Sequence, residues 1–173
     1  MTEALQALYA GDEERARELL PPDAGLSVFE AAAFGRLERL GQILDEDPTQ
    51  ARALSNDGFT ALHLANFGRQ EEAVRLLLEH GADPNAVATG EIAKVPPLGT
   101  AAFVRSVPLA RLLLDSGADV NGRGEGGFTA LHSAAQNGDE ELARLLLERG
   151  ADPSLASDDG RTPADFGLGE LLS

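Results

Sequence analysis

"FTALHLANFGRQEEAVRLLLEHGADPN", residues 59–85, returns at 128–154 as "FTALHSAAQNGDEELARLLLERGADPS". A chain that writes one passage twice must fold it twice, because the same local preferences act on both copies. Each copy reads as a helix, a tight turn, a second helix and a glycine stop. Thr60 and Thr129 are placed to cap first helices, their hydroxyls accepting amides of the opening turn. Gly81 and Gly150 follow the leucine-rich second helices, where a left-handed residue ends a helix at least cost.

The register extends beyond the two copies. Thr162 opens "TPAD" 33 residues after Thr129, and Ser27 opens "SVFEAAAFG" 33 residues before Thr60. Between them the phrase "RLLLDSGADVN" lies 36 residues beyond "RLLLEHGADPN", which sets another start at Pro96. The reading is therefore a helix pair over 1–26, full units over 27–59, 60–95, 96–128 and 129–161, and a truncated unit over 162–173.

The period of 33, the "TALH" and "TPAD" openings and the closing "GADPN", "GADVN" and "GADPS" resemble the ankyrin repeat family. The resemblance covers roughly residues 27–170. It implies an all-α solenoid of stacked helix-turn-helix units with β-hairpin-like finger loops, forming a single domain over 1–173. Leucine runs such as Leu76-Leu77-Leu78 and Leu145-Leu146-Leu147 fit that architecture, since one helix pair cannot bury them and a stack can. The flanking segments 1–26 and 162–173 then seal the ends.

Local signals agree. Ser27 and Glu30 have capping-box spacing. Pro97 and Pro163 sit at first helical positions, Asp139 and Ser106 at starts of second helices, and Pro108 in the first turn after Ser106. Gly117 is a third helix stop. Glu71 with Arg75, and Glu140 with Arg144, are expected to pair at i,i+4. Phe29 aligns with Leu62, Leu98 and Leu131 and is expected in the core.

Composition bears on partners. The charge of −15 repels phosphate backbones, which argues against nucleic acid. Without cysteine there is neither disulfide nor thiol chemistry. The first twenty residues carry acids where a signal peptide needs a basic start, and no apolar run reaches membrane-span length, so the cytoplasm is expected.

No catalytic constellation is legible, and no cofactor or metal is expected. His63 and His132 share a slot two units apart, roughly 20 Å by helix-layer spacing, too far for a shared ion. The resemblance implies that this histidine hydrogen-bonds backbone in the "TALH" turn. His80 suits a helix C-terminus. "GRGEGG" at 122–127 lacks the Lys-Ser/Thr of a phosphate loop and is read as a flexible hairpin tip.

Function must then lie in residues the scaffold does not require. Phe34, Phe67 and Phe103 occupy one slot near the end of first helices, and Phe59 and Phe128 another, just before the capping threonine. The resemblance places both slots on the inner, concave side, where such arrays hold partners. The alternative is that these rings pack against adjacent units. The finger 86–95, "AVATGEIAKV", is three residues longer than its counterparts and carries Ile92 and the single lysine, Lys94. It is either a binding finger or a loop tolerant of drift. The expected function is non-enzymatic binding of another protein by a monomer through Phe34, Phe67, Phe103, Phe59, Phe128, Ile92 and Lys94, with no nucleic acid or membrane partner. The alternatives are an acidic inhibitor of a basic enzyme and a self-associating structural protein.

Overall fold

The computed structural model describes residues 2–90 and 94–172. Among these the secondary structure is helical, with strand pairing reduced to one isolated bridge between Leu54 and Thr60. The chain forms two compact units, Met1–Asp83 with Ala88–Ile92, and Pro84–Val87 with Ala93–Ser173.

The first unit begins with α1 (Glu3–Tyr9) and α2 (Glu13–Glu18), capped by Thr2 and Asp12. Two helix pairs follow: α3 (Val28–Ala33) with α4 (Leu37–Glu46), and α5 (Ala61–Phe67) with α6 (Glu71–Glu79). α3 packs on α5 and α4 on α6, burying Leu40, Leu44, Leu62 and Leu77. The second unit pairs α7 (Pro97–Phe103) with α8 (Val107–Asp115), and α9 (Ala130–Gln136) with α10 (Glu140–Glu148), and ends in the short α11 (Gly169–Leu172). α7 packs on α9 and α8 on α10 around Leu98, Leu109, Leu113, Leu131, Leu142 and Leu146. This is the stacked helix-pair architecture expected from the repeat register.

The capping chemistry explains where the helices start. Ser27 and Glu30 close a reciprocal box, the Ser27 amide donating to Glu30 Oε2 at 3.1 Å and the Glu30 amide to Ser27 Oγ at 3.3 Å. The same device is built from histidine in α5 and α9. The amides of Thr60 and Thr129 donate to Nδ1 of His63 and His132 at 3.3 and 3.1 Å. An Nδ1 that accepts leaves the proton on Nε2, and His132 Nε2–H accordingly donates to the Arg161 carbonyl at 3.2 Å. Both rings are buried, and burial pushes the His132 pKa below its ordinary value.

Successive repeats are stitched by one recurring hydrogen bond. Asn85 Nδ2 donates to the Gly117 carbonyl at 3.0 Å while its Oδ1 accepts from the Asp119 amide at 2.7 Å. Asn121 does the same to Gly150 and Asp152, at 3.3 and 2.9 Å. The first full repeat has arginine in that slot, and Arg52 Nε donates to the Gly81 carbonyl at 2.7 Å. A repeat without its closing glycine and asparagine thus keeps the tie.

The fingers close by matched backbone bonds, Ser55 to Phe59 in one unit and Gly124 to Phe128 and Ser157 to Arg161 in the other, at 2.7–2.8 Å. The Thr89 amide donates to the Gly58 carbonyl at 2.9 Å. There Gly90 lies so close that a Cβ would strike the Asp57 carbonyl oxygen. The 122–127 tip, expected to be flexible, is tied down. The Glu125 amide donates to the Lys94 carbonyl at 2.6 Å, and Arg123 to the Ala156 carbonyl at 2.9 Å.

Two expectations need correction. Arg75 reaches Glu72, 3.7 Å away at i,i+3, rather than Glu71, whereas Arg144 meets Glu140 at 3.3 Å. Phe29 is half-buried, while Leu62, Leu98 and Leu131 in its slot are core. This fits a repeat packed against the short helix α1 rather than a full helix pair.

Candidate protein-interaction face

The first helices end at the phenylalanines. Phe67 and Phe103 are the last residues of α5 and α7, and Phe34 caps the end of α3. In the second unit the Phe103 ring is held 68% exposed, a large apolar surface presented to water. In the first unit Phe34 and Phe67 are half-buried. The slot before the capping threonine is more enclosed: Phe59 is only 7% exposed and Phe128 is half-buried.

What encloses these rings comes from the ends of the chain. Tyr9, the last residue of α1, meets Phe67 edge-on with ring centroids 4.8 Å apart, and Phe59 at 6.1 Å. Phe59 in turn meets His63 edge-on at 5.8 Å. Burial pushes the Tyr9 phenol well above its ordinary range, and the nearby Asp57 carboxylate adds to the shift. In the second unit Phe166 plays the corresponding part, edge-on to Phe128 at 5.0 Å and to His132 at 5.8 Å, with the Arg161 guanidinium 4.2 Å over its ring. Phe59 is therefore inaccessible as it stands, contrary to a reading that leaves both slots open.

Neither Tyr9 nor Phe166 was singled out by the sequence pattern. Both lie in segments that break the repeat, so alignment assigns them no slot. One signal was available for Tyr9: the sole tyrosine, ending a helix whose Leu5 and Leu8 share its apolar side.

Lys94 is exposed, and Ile92 lies outside the described residues. In the first unit α4 and α6 border a groove of about 610 Å³. Its lining combines Leu37, Gly41 and Leu76 with four carboxylates, Glu38, Asp45, Glu72 and Glu79, against one arginine, Arg75. His80, at the end of α6, places Nδ1 2.9 Å from the Leu76 carbonyl and Nε2 3.4 Å from Asp45. The hydrogen bond to that carbonyl is the main cause that raises its pKa.

Among the described residues no group of three metal-ligating side chains converges, and no helix is long and apolar enough to cross a membrane. The buried histidines each spend Nδ1 on a backbone amide at a helix start, that of Thr60 or Thr129, and His132 Nε2 donates to the Arg161 carbonyl. The last finger's Asp159 is held at a pKa of about 2 by hydrogen bonds from Arg161 and Ser157.

Comparison with known proteins gives matches to the family model for the ankyrin repeat over residues 57–89 and to that for ankyrin repeats in three copies over 91–157. Together they cover more than half of the chain. Similar curated proteins include palmitoyltransferase akr1 of Schizosaccharomyces pombe, 36% identical over 70 residues, or 40% of this chain and 11% of that protein. Another is the ankyrin repeat and SAM domain-containing protein 6 of Rattus norvegicus, 38% identical over 74 residues, or 43% of this chain and 8% of that protein. The matched stretches thus span about a tenth of the length of these relatives.

Proposed function

The chain belongs to the ankyrin repeat family, and from that premise we propose that it is a non-enzymatic module that binds another protein through its inner face and finger loops. Repeats of this family generally serve protein–protein interaction. The observation that carries the reading is Phe103, an aromatic ring kept 68% exposed at the end of a helix. Large aromatic side chains contribute strongly to protein interfaces, and a ring left this exposed offers apolar area to a partner. Phe34, Phe67 and Phe128, half-buried, are the further contacts, with Lys94 on the long finger. Ile92, Phe59 and the finger's role belong to the same proposal, Phe59 becoming available only if Tyr9 moves.

The binding protein is read as a cytoplasmic monomer with neither nucleic acid nor membrane as partner, a reading supported by a charge of −15 and the absence of cysteine. The test is affinity capture from native lysate with wild type and Phe103→Ser, together with thermal melts. Loss of a partner by a variant that melts normally supports the reading. An unchanged partner list counts against it.

A second reading, an acidic inhibitor of a basic enzyme, is favoured by the carboxylates lining the α4–α6 groove. It predicts binding that weakens steeply with salt, whereas the aromatic surface predicts little salt dependence.

A further inference from the structure

The helix pair α1–α2 is attached to the first unit differently from every repeat. The repeats are tied by hydrogen bonds from Arg52, Asn85 and Asn121 to glycine carbonyls. The described hydrogen bonds of residues 2–20 all close within that stretch. Its ion pairs do likewise: Arg15 with Glu18 at 3.2 Å and Arg17 with Glu13 at 3.5 Å, all four side chains well exposed. Among the described residues what holds the pair is apolar: Ala4, Leu5 and Ala16 are buried, and the Tyr9 ring sits on Phe67 and Phe59.

The seat also borders an open cleft. A cleft of about 210 Å³ remains where Leu8, Tyr9 and Arg17 face Phe34, Phe67 and Arg69. Apolar side chains along such an open cleft lack dispersion partners on that side. The connection onward, residues 21–25, is exposed and contains Pro21 and Pro22.

Side-chain docking without backbone ties among the described residues, an open cleft beside the seat and an exposed tether describe a bound peptide better than a structural repeat. We propose that Phe34, Phe59 and Phe67 form a receptor notch for a short helix bearing a tyrosine, and that α1 is its resident ligand, displaced when a partner helix of the same chemistry binds. The chemistry is read from α1 itself: a helix with small and leucine side chains on one face and a tyrosine at its C-terminal end, as in Ala4, Leu5, Leu8 and Tyr9. The proposal rests on the inner-face reading and names its ligand class for the first unit. Occupancy by a resident segment lowers the apparent affinity for any competitor by the fraction of time the notch stands open.

The test uses the full chain and a fluorescent synthetic peptide spanning Thr2–Leu20, titrated into wild type and into Tyr9→Ala. The expected result is at least about tenfold tighter binding to Tyr9→Ala, whose own helix competes less well. That gain should be lost when the peptide's own tyrosine is changed to alanine. Equal affinity for the two chains, or no binding to a folded Tyr9→Ala, overturns the proposal. Dimer formation by either chain at the working concentration overturns it too, since a second copy would then be the occupant.

If Tyr9→Ala does not fold, urea unfolding of wild type decides. Tyr9 is the single tyrosine in a chain without tryptophan, so its fluorescence reports the resident helix alone. Exposure of Tyr9 at lower urea than the loss of helical circular dichroism supports displacement, and coincident transitions overturn it. Neither readout involves Phe103, so failure here leaves the partner-capture test of the general reading intact.

Discussion

Tyr9 and Phe67 meet edge-on, ring centroids 4.8 Å apart, although 57 residues of chain separate them. This contact joins α1 to the end of α5 in the first unit, and it gives the phenol a measurable signature. Burial raises its pKa above the ordinary value of 10, with Asp57 contributing. Tyrosinate absorbance should therefore develop well above pH 10 in wild type and move back toward 10 in Phe67→Ala. An undocked Tyr9 ionises first, so the docking energy is fully present below about pH 10 and is lost as pH rises past it. Unchanged titration in Phe67→Ala would show that this ring does not set the environment of Tyr9.

The leucine layers should carry most of the stability. Leu77 and Leu146 are fully buried, each in the second helix of a pair. Leu77→Ala and Leu146→Ala should each cost about 2–5 kcal/mol in denaturant unfolding, from lost transfer energy and the cavity left behind.

Gly41 sits inside α4, where a Cβ would meet nothing within 4 Å. Glycine in a helix interior is costly in backbone entropy, and no close approach requires it here. Gly41→Ala should raise stability by about 0.5–1 kcal/mol, visible as a higher urea midpoint.

Arg69 and Arg105 adopt left-handed backbone, φ 57° and 55°, in the turn where the last full repeat has Gly138 at 63°. An arginine there carries a steric cost that glycine avoids. Arg69→Gly and Arg105→Gly should each stabilise by up to about 1 kcal/mol, reduced by the freer unfolded chain. If partner binding weakens while stability rises, the arginine side chains belong to the interface.

His132 is buried and neutral, its Nδ1 accepting from Thr129 and its Nε2–H donating to Arg161. Its pKa is lowered, chiefly by burial. The unfolded chain binds this proton more readily, so the contribution is present above about pH 6.5 and lost as pH falls below it. His132→Gln should flatten that part of the pH–stability curve, measured by thermal melts between pH 7 and 5.

The repeat register was legible because each signature residue does a local job that spacing reveals. Thr60 caps, Gly81 turns and Leu77 is buried, each as its position implies. Arg52 was not legible as a tie, because its side chain differs from that of Asn85 and only the shared acceptor, a glycine carbonyl, equates them. The choice of Glu72 over Glu71 by Arg75 reflects how little energy separates exposed pairs. At the candidate site the phenylalanine slots follow from alignment, but their accessibility depends on Tyr9 and Phe166, which lie outside the repeat and far along the chain from Phe67 and Phe128. Such contacts leave no periodic trace.

Whether the exposed Phe103 ring binds a protein partner is decided by calorimetric titration of the captured partner against wild type and Phe103→Ser. Kd should rise at least about thirtyfold, the scale of an interface hot spot of about 2 kcal/mol, with an unchanged melting temperature. An unaltered Kd on an equally stable fold would contradict it.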